Sequence, residues 1–323
     1  MNLKSYFKYL KKCNALLNEL KNVDNGGGKI FLWLDYLYCA VRHGCLIHQY
    51  VYGNFHLYNN RTRKKIMTYR RLCKLINICN NPFGIKELDS KVEFNKKFSK
   101  WVNRKWLYSK DMTLEQFAEL CDSTDCIIVK PINDYEGNGI KIIKKDEYQN
   151  YVTELFNDFK DKNLIIEEFF KQNPRMVLDN KSVNTIRINT VVNEKGSVYM
   201  FKAVLRAGVG DSVVDNYNAG GVEYPIDIET GIISSLGYYN GNQKCVFHPG
   251  TSLIMPGYII PMWEKVIATV EEAAKIAKCR FIGWDVAIGN DDVELIEGNH
   301  NPGYVCMEYF GEIGWYNNIK KHL

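Results

Sequence analysis

Near its end the chain sets acids and an amide at a spacing that suits a hard cation. In Phe281-Ile-Gly-Trp-Asp-Val-Ala-Ile288 the apolar Ile282, Trp284, Val286 and Ile288 alternate with Gly283, Asp285 and Ala287, so Asp285 projects from the face opposite the apolar set. In Val293-Glu-Leu-Ile-Glu-Gly-Asn299, Glu297 and Asn299 stand two apart and share a face. A three-residue turn at Asn290, Asp291 and Asp292 makes the two segments a hairpin with Asp285 directly opposite Glu297, Cβ atoms ~5 Å apart. Facing carboxylates repel unless a cation bridges them, and an Asn carbonyl completes an oxygen-only set suited to Mg²⁺. No Lys or Arg occurs between 281 and 303 to relieve that repulsion. A polar hairpin end open to water is the plainer alternative.

Two further constellations concern phosphate and a purine edge. Lys130-Pro-Ile-Asn-Asp-Tyr-Glu-Gly-Asn-Gly139 ends a strand on an ammonium and continues into a loop with Glu136, Gly137, Asn138 and Gly139, whose small residues let backbone N–H groups approach anionic oxygens. A simple hairpin turn would look the same, and neither GxGxxG nor GxxxxGK[ST] is present. In Leu164-Ile-Ile-Glu-Glu-Phe-Phe170 a strand stops at Glu167 and Glu168, then exposes backbone beside Phe169 and Phe170, where an adenine edge could bond.

The elements that must hold these groups fall into three stretches. Residues 1–85 read as a helical domain, with helical spacing in Tyr6, Tyr9, Leu10, Leu16, Leu17 and Leu20 and a breaker at Gly26-Gly27-Gly28. From Arg61 to Lys74 there are seven basic residues and no acid, either a solvated helix face or a surface for anionic lipid or a phosphorylated substrate. Residues 86–165 read as a small α/β lobe: Thr113-Leu-Glu-Gln116 is a capping box, and Cys126 to Lys130 a short strand. Residues 166–323 read as a mostly antiparallel sheet covered by a helix from Trp263 to Ala277. The fold class is α+β.

Composition narrows the class of molecule. At 46% hydrophobic and 24% charged residues over 323 positions, disorder is excluded and about two domains are expected. No window approaches a membrane span, and Lys4, Lys8, Lys11 and Lys12 interrupt the start, so a cytoplasmic protein is expected, with peripheral membrane contact open. Ten scattered cysteines without a CxxC pair read as buried thiols rather than disulfides or a zinc site.

The order of these pieces resembles the ATP-grasp superfamily, in which two α+β lobes clasp ATP. The tail Glu297-Gly-Asn299-His-Asn-Pro-Gly303 resembles the metal motif of D-alanine:D-alanine ligases and glutathione synthetases. Val183-Asn-Thr-Ile-Arg-Ile-Asn-Thr190, Asp215-Asn216 with Gly220-Gly221, His248-Pro249 and Gly283-Trp-Asp-Val-Ala287 look most like the sugar-transfer-associated subgroup found with bacterial surface-polysaccharide genes. The resemblance covers about residues 30–310.

The resemblance implies an ATP-grasp fold behind an N-terminal helical segment, and an ATP- and Mg²⁺-dependent carboxylate-amine ligase that works through an acyl phosphate. It assigns Asp285, Glu297 and Asn299 to Mg²⁺, Lys130 and the 136–139 loop to the phosphates, and Glu167 to Phe170 to the adenine hinge. Asp89-Ser-Lys-Val-Glu-Phe94 resembles the start that carries the superfamily's first phosphate lysine, which makes it Lys91, with Lys96 or Lys97 as alternatives. Asn216, Gly220, Gly221, His248 and Asn301 become candidates for substrate. Relatives often place an Arg two residues before the metal Asp, where this chain has Gly283; Arg187 and Arg206 are then the candidates for stabilising the transferring phosphoryl group, or structural ion pairs. Relatives also usually carry a Rossmann-like domain where this chain has its helical segment. The implied partners are a saccharide-precursor carboxylate and an amine, in capsule or O-antigen synthesis, with no nucleic acid. A small-molecule kinase on the same lobes, and a basic nucleic-acid or membrane-binding module, are the alternatives; +5 is modest for the latter. Asp285→Asn and Glu297→Gln are expected to abolish turnover with the fold intact, and reversing Arg70 and Arg71 to raise the acceptor's KM.

Overall fold

The computed structural model describes residues 3–23, 28–132, 139–178, 182–212, 215, 217, 220–239, 243–303 and 314–323. Contacts divide the chain into two compact units, 1–79 with 303–323, and 80–302.

The first unit is helical: α1 (Leu3–Val23), α2 (Lys29–His43), α3 (Ile47–Tyr52), α4 (Asn60–Arg63), α5 (Tyr69–Cys79) and a carboxy-terminal helix, Trp315–Lys321. Gly44 ends α2 at φ +69°, and a Cβ there would lie 2.2 Å from Arg70 Cβ, so both the turn and the close approach require glycine. Its core gathers Leu17, Tyr36, Cys39, Ile47, Tyr50 and Phe55. Inside it Arg63 grips Asp35 through two N–H···O bonds of 2.8 and 2.7 Å, and the Tyr50 hydroxyl donates to the same carboxylate.

The basic run thus divides by role. Arg63 is buried, and Arg71 donates to the Arg63 carbonyl, contacts His43 Nδ1 at 3.2 Å and lies over the Tyr316 ring. Arg70 donates to the Val41 and Ala40 carbonyls. Arg61, Lys64, Lys65 and Lys74 are exposed. Arg70 and Arg71 hold helix ends together, so a change of either would act through the helical fold before it acted on any acceptor.

The second unit opens with α6 (Pro82–Asp89) and α7 (Lys91–Lys97), whose starts are fixed by Asn81 and Ser90 accepting from the N–H groups of Gly84 and Glu93. A four-stranded antiparallel sheet follows from β1 (Trp106–Tyr108), β2 (Cys126–Pro131), β3 (Lys141–Lys144) and β4 (Leu164–Glu168), in the order β1-β4-β2-β3. Ile127, Val129 and Ile166 of one face pack with Phe117 of α8 (Leu114–Ser123), Tyr148 of α9 (Lys145–Tyr148) and Phe159 of α10 (Val152–Phe159). The expected capping box of α8 is formed by Thr113 and Gln116.

A seven-stranded antiparallel sheet carries the rest: β5 (Thr185–Val192), β6 (Val198–Ala207), β7 (Val222–Ile226), β8 (Gly237–Tyr239), β9 (Gln243–Cys245), β10 (Phe281–Ile288) and β11 (Val293–Asn299), ordered β11-β10-β5-β6-β7-β8-β9. Alternation sorts its faces. Ile186, Ile188, Leu205, Tyr224, Trp284 and Val286 pack with Val266, Val270 and Ala273 of the helix α11 (Trp263–Ile276) to form the main core. Arg187, Asn189, Lys202, Arg206, Glu223 and Asp285 alternate with them and occupy the other face.

The hairpin β10–β11 differs from the expected one in a way that has a physical reason. Its ladder closes at Ile288↔Val293, around four turn residues rather than three, and the register shifts between Val286↔Leu295 and Asp285↔Glu297. Ile296 is the extra residue of a β-bulge. With a three-residue turn and no bulge, Glu294 would point into the apolar core and Leu295 away from it. The longer turn and the bulge exchange them, so Leu295 joins the core while Glu294 meets Arg104. The expected pairing of Asp285 with Glu297 is observed.

No helix among the described residues is long and apolar enough to cross a membrane. Nine described cysteines are free thiols, six of them buried: Cys13, Cys39, Cys45, Cys79, Cys121 and Cys279.

Candidate active site

Asp285 is the hub of the polar sheet face. It is buried, and its carboxylate accepts from Arg187 Nε, from Arg187 Nη2 at 2.7 Å and from Arg206 Nη1 at 3.0 Å. Arg187 is its direct neighbour across β5, and Arg206 reaches it from β6. The expectation that no cation relieves the acidic pair is therefore corrected: the compensating charges are distant in sequence and arrive through strand pairing. Burial disfavours the Asp285 anion, but the two guanidiniums outweigh it and hold the carboxyl well below its ordinary range.

Gly283 is explained by the same geometry. A Cβ there would lie 2.7 Å from Pro302 Cβ, 2.8 Å from Asn189 Oδ1 and 3.0 Å from Arg187 Cδ. The cation that the resemblance expects two residues before Asp285 enters instead from the adjacent strand, and its stem fills the space that a side chain at 283 would need.

Glu297 lies opposite Asp285 with 48% of its side chain exposed; its Oε1 accepts from Asn299 Nδ2 at 3.0 Å and lies 3.9 Å from Arg187 Nη2. Burial of its inner side, and then the Asp285 charge and a hydrogen bond to it, push the Glu297 carboxyl up. The two carboxyl groups face each other across the hairpin, one held strongly acidic and one raised, and all their donor atoms are hard oxygens that a divalent cation can bridge. The set Asp285, Glu297 and Asn299 thus fits Mg²⁺ in chemistry. No group of three His, Cys, Asp or Glu side chains of metal-site geometry occurs among the described residues, so the amide of Asn299 is needed to complete the set.

Beyond Arg206 the face continues into groups that sequence reasoning did not single out as site residues. Asp215 accepts from the Thr185 N–H at 3.1 Å and its hydroxyl, and lies 3.7 Å from Arg206 Nη2. Glu223, opposite Arg206 on β7, is buried, and its Oε2 has no hydrogen-bond partner among the described residues.

The small sheet presents its own polar face, with Lys130 and Glu167. Lys130 Nζ donates to Glu167 Oε2, while Glu167 Oε1 accepts from Arg104 Nε at 2.9 Å and Asn95 Nδ2 at 3.2 Å. Arg104 continues to Glu294 at 3.1 Å and to the Leu295 carbonyl at 3.0 Å. Burial would raise the Glu167 carboxyl, but Arg104 and then Lys130 bring it down to about 2. One buried chain of charges, Lys130–Glu167–Arg104–Glu294, therefore ties the end of the small sheet to β11. Glu167 is an interior strand residue whose carboxylate accepts from Lys130, while Glu168, Phe169 and Phe170 after it are half-buried. The Glu168 and Phe169 N–H groups already donate to the Lys105 and Cys126 carbonyls.

Lys91, the first residue of α7, donates to the Pro131 and Ile132 carbonyls at 3.0 and 3.3 Å, which sets it at the Lys130 end of β2. Lys96 pairs instead with Glu93 on the exposed side of its helix. Gly139 precedes β3, while Glu136, Gly137, Asn138 and Asn216 lie outside the described residues. Gly220 and Gly221 precede β7, and Asn301 is exposed. His248 is not brought to this face: it is fully buried with Nδ1 3.0 Å from the hydroxyl of Tyr224, which belongs to the apolar side of the sheet.

The profile of the sugar-transfer associated ATP-grasp family matches residues 74–321. The chain belongs to the sugar-transfer associated ATP-grasp family. No curated protein matches it. Among solved structures this ATP-grasp chain is similar to the ATP-grasp ligase PsnB complexed with minimal precursor, Mg and ADP, at 13% identity and a TM-score of 0.41, over 69% of this chain and 52% of that one. It is also similar to the ADP complex of PurK, N5-carboxyaminoimidazole ribonucleotide synthetase (11%, TM-score 0.43, 68% and 46%). A third is the L-amino acid ligase from Bacillus licheniformis (13%, TM-score 0.42, 71% and 44%). The chain spans about half the length of these structures.

Proposed function

We propose that the protein is an ATP- and Mg²⁺-dependent carboxylate-amine ligase that acts in the cytoplasm on a saccharide precursor, joining a uronic-acid-type carboxylate to an amino acid or other amine. The observation that carries the reading is the Asp285-centred face. It combines an oxygen-donor set for a hard cation with two guanidiniums, and a buried ion chain ties the neighbouring strand β11 to the strand end that carries Lys130, beside which Lys91 lies. Family membership supports the nucleotide, and the family's association with sugar transfer supports the saccharide.

In this reading the substrate carboxylate attacks the γ-phosphorus of ATP, ADP leaves, and the acyl phosphate loses phosphate to an attacking amine, giving an amide. The chain's work is alignment and charge neutralisation. Lys130 and Lys91 hold phosphate oxygens, with Glu167 fixing the direction of the Lys130 ammonium. Arg187 spends two N–H groups on Asp285 and keeps others to receive charge that develops on the transferring phosphoryl group. Arg206 keeps Asp285 ionised. Asp285, Glu297 and Asn299 would hold Mg²⁺, which when bound neutralises phosphate charge.

The test is incubation with MgATP, uronic-acid-containing precursors and an amino-acid pool, followed by mass spectrometry. ADP, phosphate and an amide-linked product are expected. A phosphorylated precursor without amide would make the protein a kinase on the same lobes.

A further inference from the structure

Helix α2 has two apolar faces. Leu32, Tyr36, Cys39 and His43 turn into the helical unit and are buried. Ile30, Phe31, Leu34, Leu37, Tyr38 and Val41 are exposed, Ile30 by 78%, Leu34 by 62% and Val41 by 75%. At 3.6 residues per turn these six positions fall within an arc of about 120°, on the side away from the buried four. Single exposed apolar residues are ordinary, but a continuous stripe marks a surface that meets something apolar. A cavity of about 390 Å³ lined by Tyr9, Leu10, Trp33 and Leu37 adjoins the same helix.

Charge decides what meets it. Residues 1–79 hold 14 Lys and Arg against three Asp and Glu, and residues 303–323 hold two of each, so the helical unit carries +11. Residues 80–302 hold 26 against 32, or −6. The modest total of +5 hides a strongly basic unit. Its cations border the stripe: Arg42 follows Val41, and the Arg70 guanidinium is anchored on the Val41 and Ala40 carbonyls. A second copy of so basic a unit would be repelled. Nucleic acid would satisfy the charge and leave the aliphatic stripe in water. An anionic bilayer satisfies both, since its headgroups attract Lys and Arg while the acyl boundary receives the apolar arc.

We infer that the exposed face of α2 seats the protein on an anionic lipid surface, with Ile30, Leu34 and Val41 entering the acyl boundary and the surrounding Lys and Arg meeting headgroups. This inference stands apart from the ligase reading, because its measurement needs no turnover.

The experiment is flotation of the full chain with phosphatidylcholine vesicles and with vesicles that also contain phosphatidylglycerol. Binding is expected to the anionic vesicles, to weaken with added salt, and to fall at least about tenfold in Ile30→Ser/Leu34→Ser/Val41→Ser. Leu34→Ser alone should move the same way, and far-ultraviolet circular dichroism should be unchanged in both. Failure of the wild type to float with anionic vesicles at low salt overturns the inference. So does equal binding by the triple variant, which would leave charge alone at work. Binding to RNA in place of vesicles, or a dimer that the triple variant dissolves, would likewise assign the face to another occupant.

Discussion

At the residue scale the two carboxylates of the hairpin are not equivalent. Asp285 is buried between two guanidiniums, whereas Glu297 is half exposed. Asp285→Asn should therefore lower stability by about 3–5 kcal/mol as well as abolish MgATP turnover, because it leaves two buried arginines undercompensated. Glu297→Gln should abolish turnover with a melting temperature near that of the wild type. Thermal melts beside an ADP-release assay separate the cases, and an unaltered melt for Asp285→Asn would mean that the arginines find other partners. A second prediction concerns Gly283→Ala, whose methyl meets Asn189, Pro302 and the Arg187 stem. It should cost about 1–3 kcal/mol in urea unfolding and displace the Arg187 guanidinium, with turnover falling further than stability alone explains. Among the lysines, Lys91→Ala should weaken nucleotide binding in a calorimetric titration as Lys130→Ala does, while Lys96→Ala should leave it unchanged.

At the element scale, what was legible in sequence was whatever a local period writes down. The alternation in 281–288 gave the face of Asp285, and Thr113 with Gln116 gave the start of α8. Arg104 was not legible: it lies in the connection Val102–Lys105, with no period of its own, and its three carboxylate and amide partners come from 95, 167 and 294. The pairing of Arg187 and Arg206 with Asp285 was hidden for the same reason, since register across β10, β5 and β6 is a tertiary fact. The bulge at Ile296 was hidden too, because a run of Glu, Leu, Ile and Glu fits either register until Arg104 supplies a partner for Glu294. A prediction belongs here. Arg104→Met should leave Glu167 and Glu294 buried without their shared cation, and lower stability by about 3–5 kcal/mol. In whatever fraction stays folded, it should raise the KM for ATP more than it lowers kcat, since Lys130 loses its support and not its charge. An unchanged KM would show that Lys130 is positioned without the ion chain.

At the scale of the whole molecule, buried acids of opposite tendency set the response to acid. The Glu167 carboxyl titrates at about 2 in the folded chain against 4.5 when free, so below 4.5 the unfolded chain takes up a proton that the folded one refuses. Its contribution is complete above pH 4.5 and is lost as the pH falls toward 2. Glu223 and Glu294, raised chiefly by burial, act in the opposite sense. The difference in unfolding free energy between the wild type and Glu167→Gln isolates the first effect. It should shrink by about 2 kcal/mol between pH 7 and pH 3; a constant difference would mean that Glu167 is not ionised when folded. The uneven division of charge, +11 on one unit and −6 on the other, has a consequence at the bench. Retention on an ion-exchange resin depends on the face that touches the matrix and not on the net charge. At neutral pH and low salt the protein should be held by sulfonate and quaternary-amine columns alike, and its elution position on either will say little about its isoelectric point.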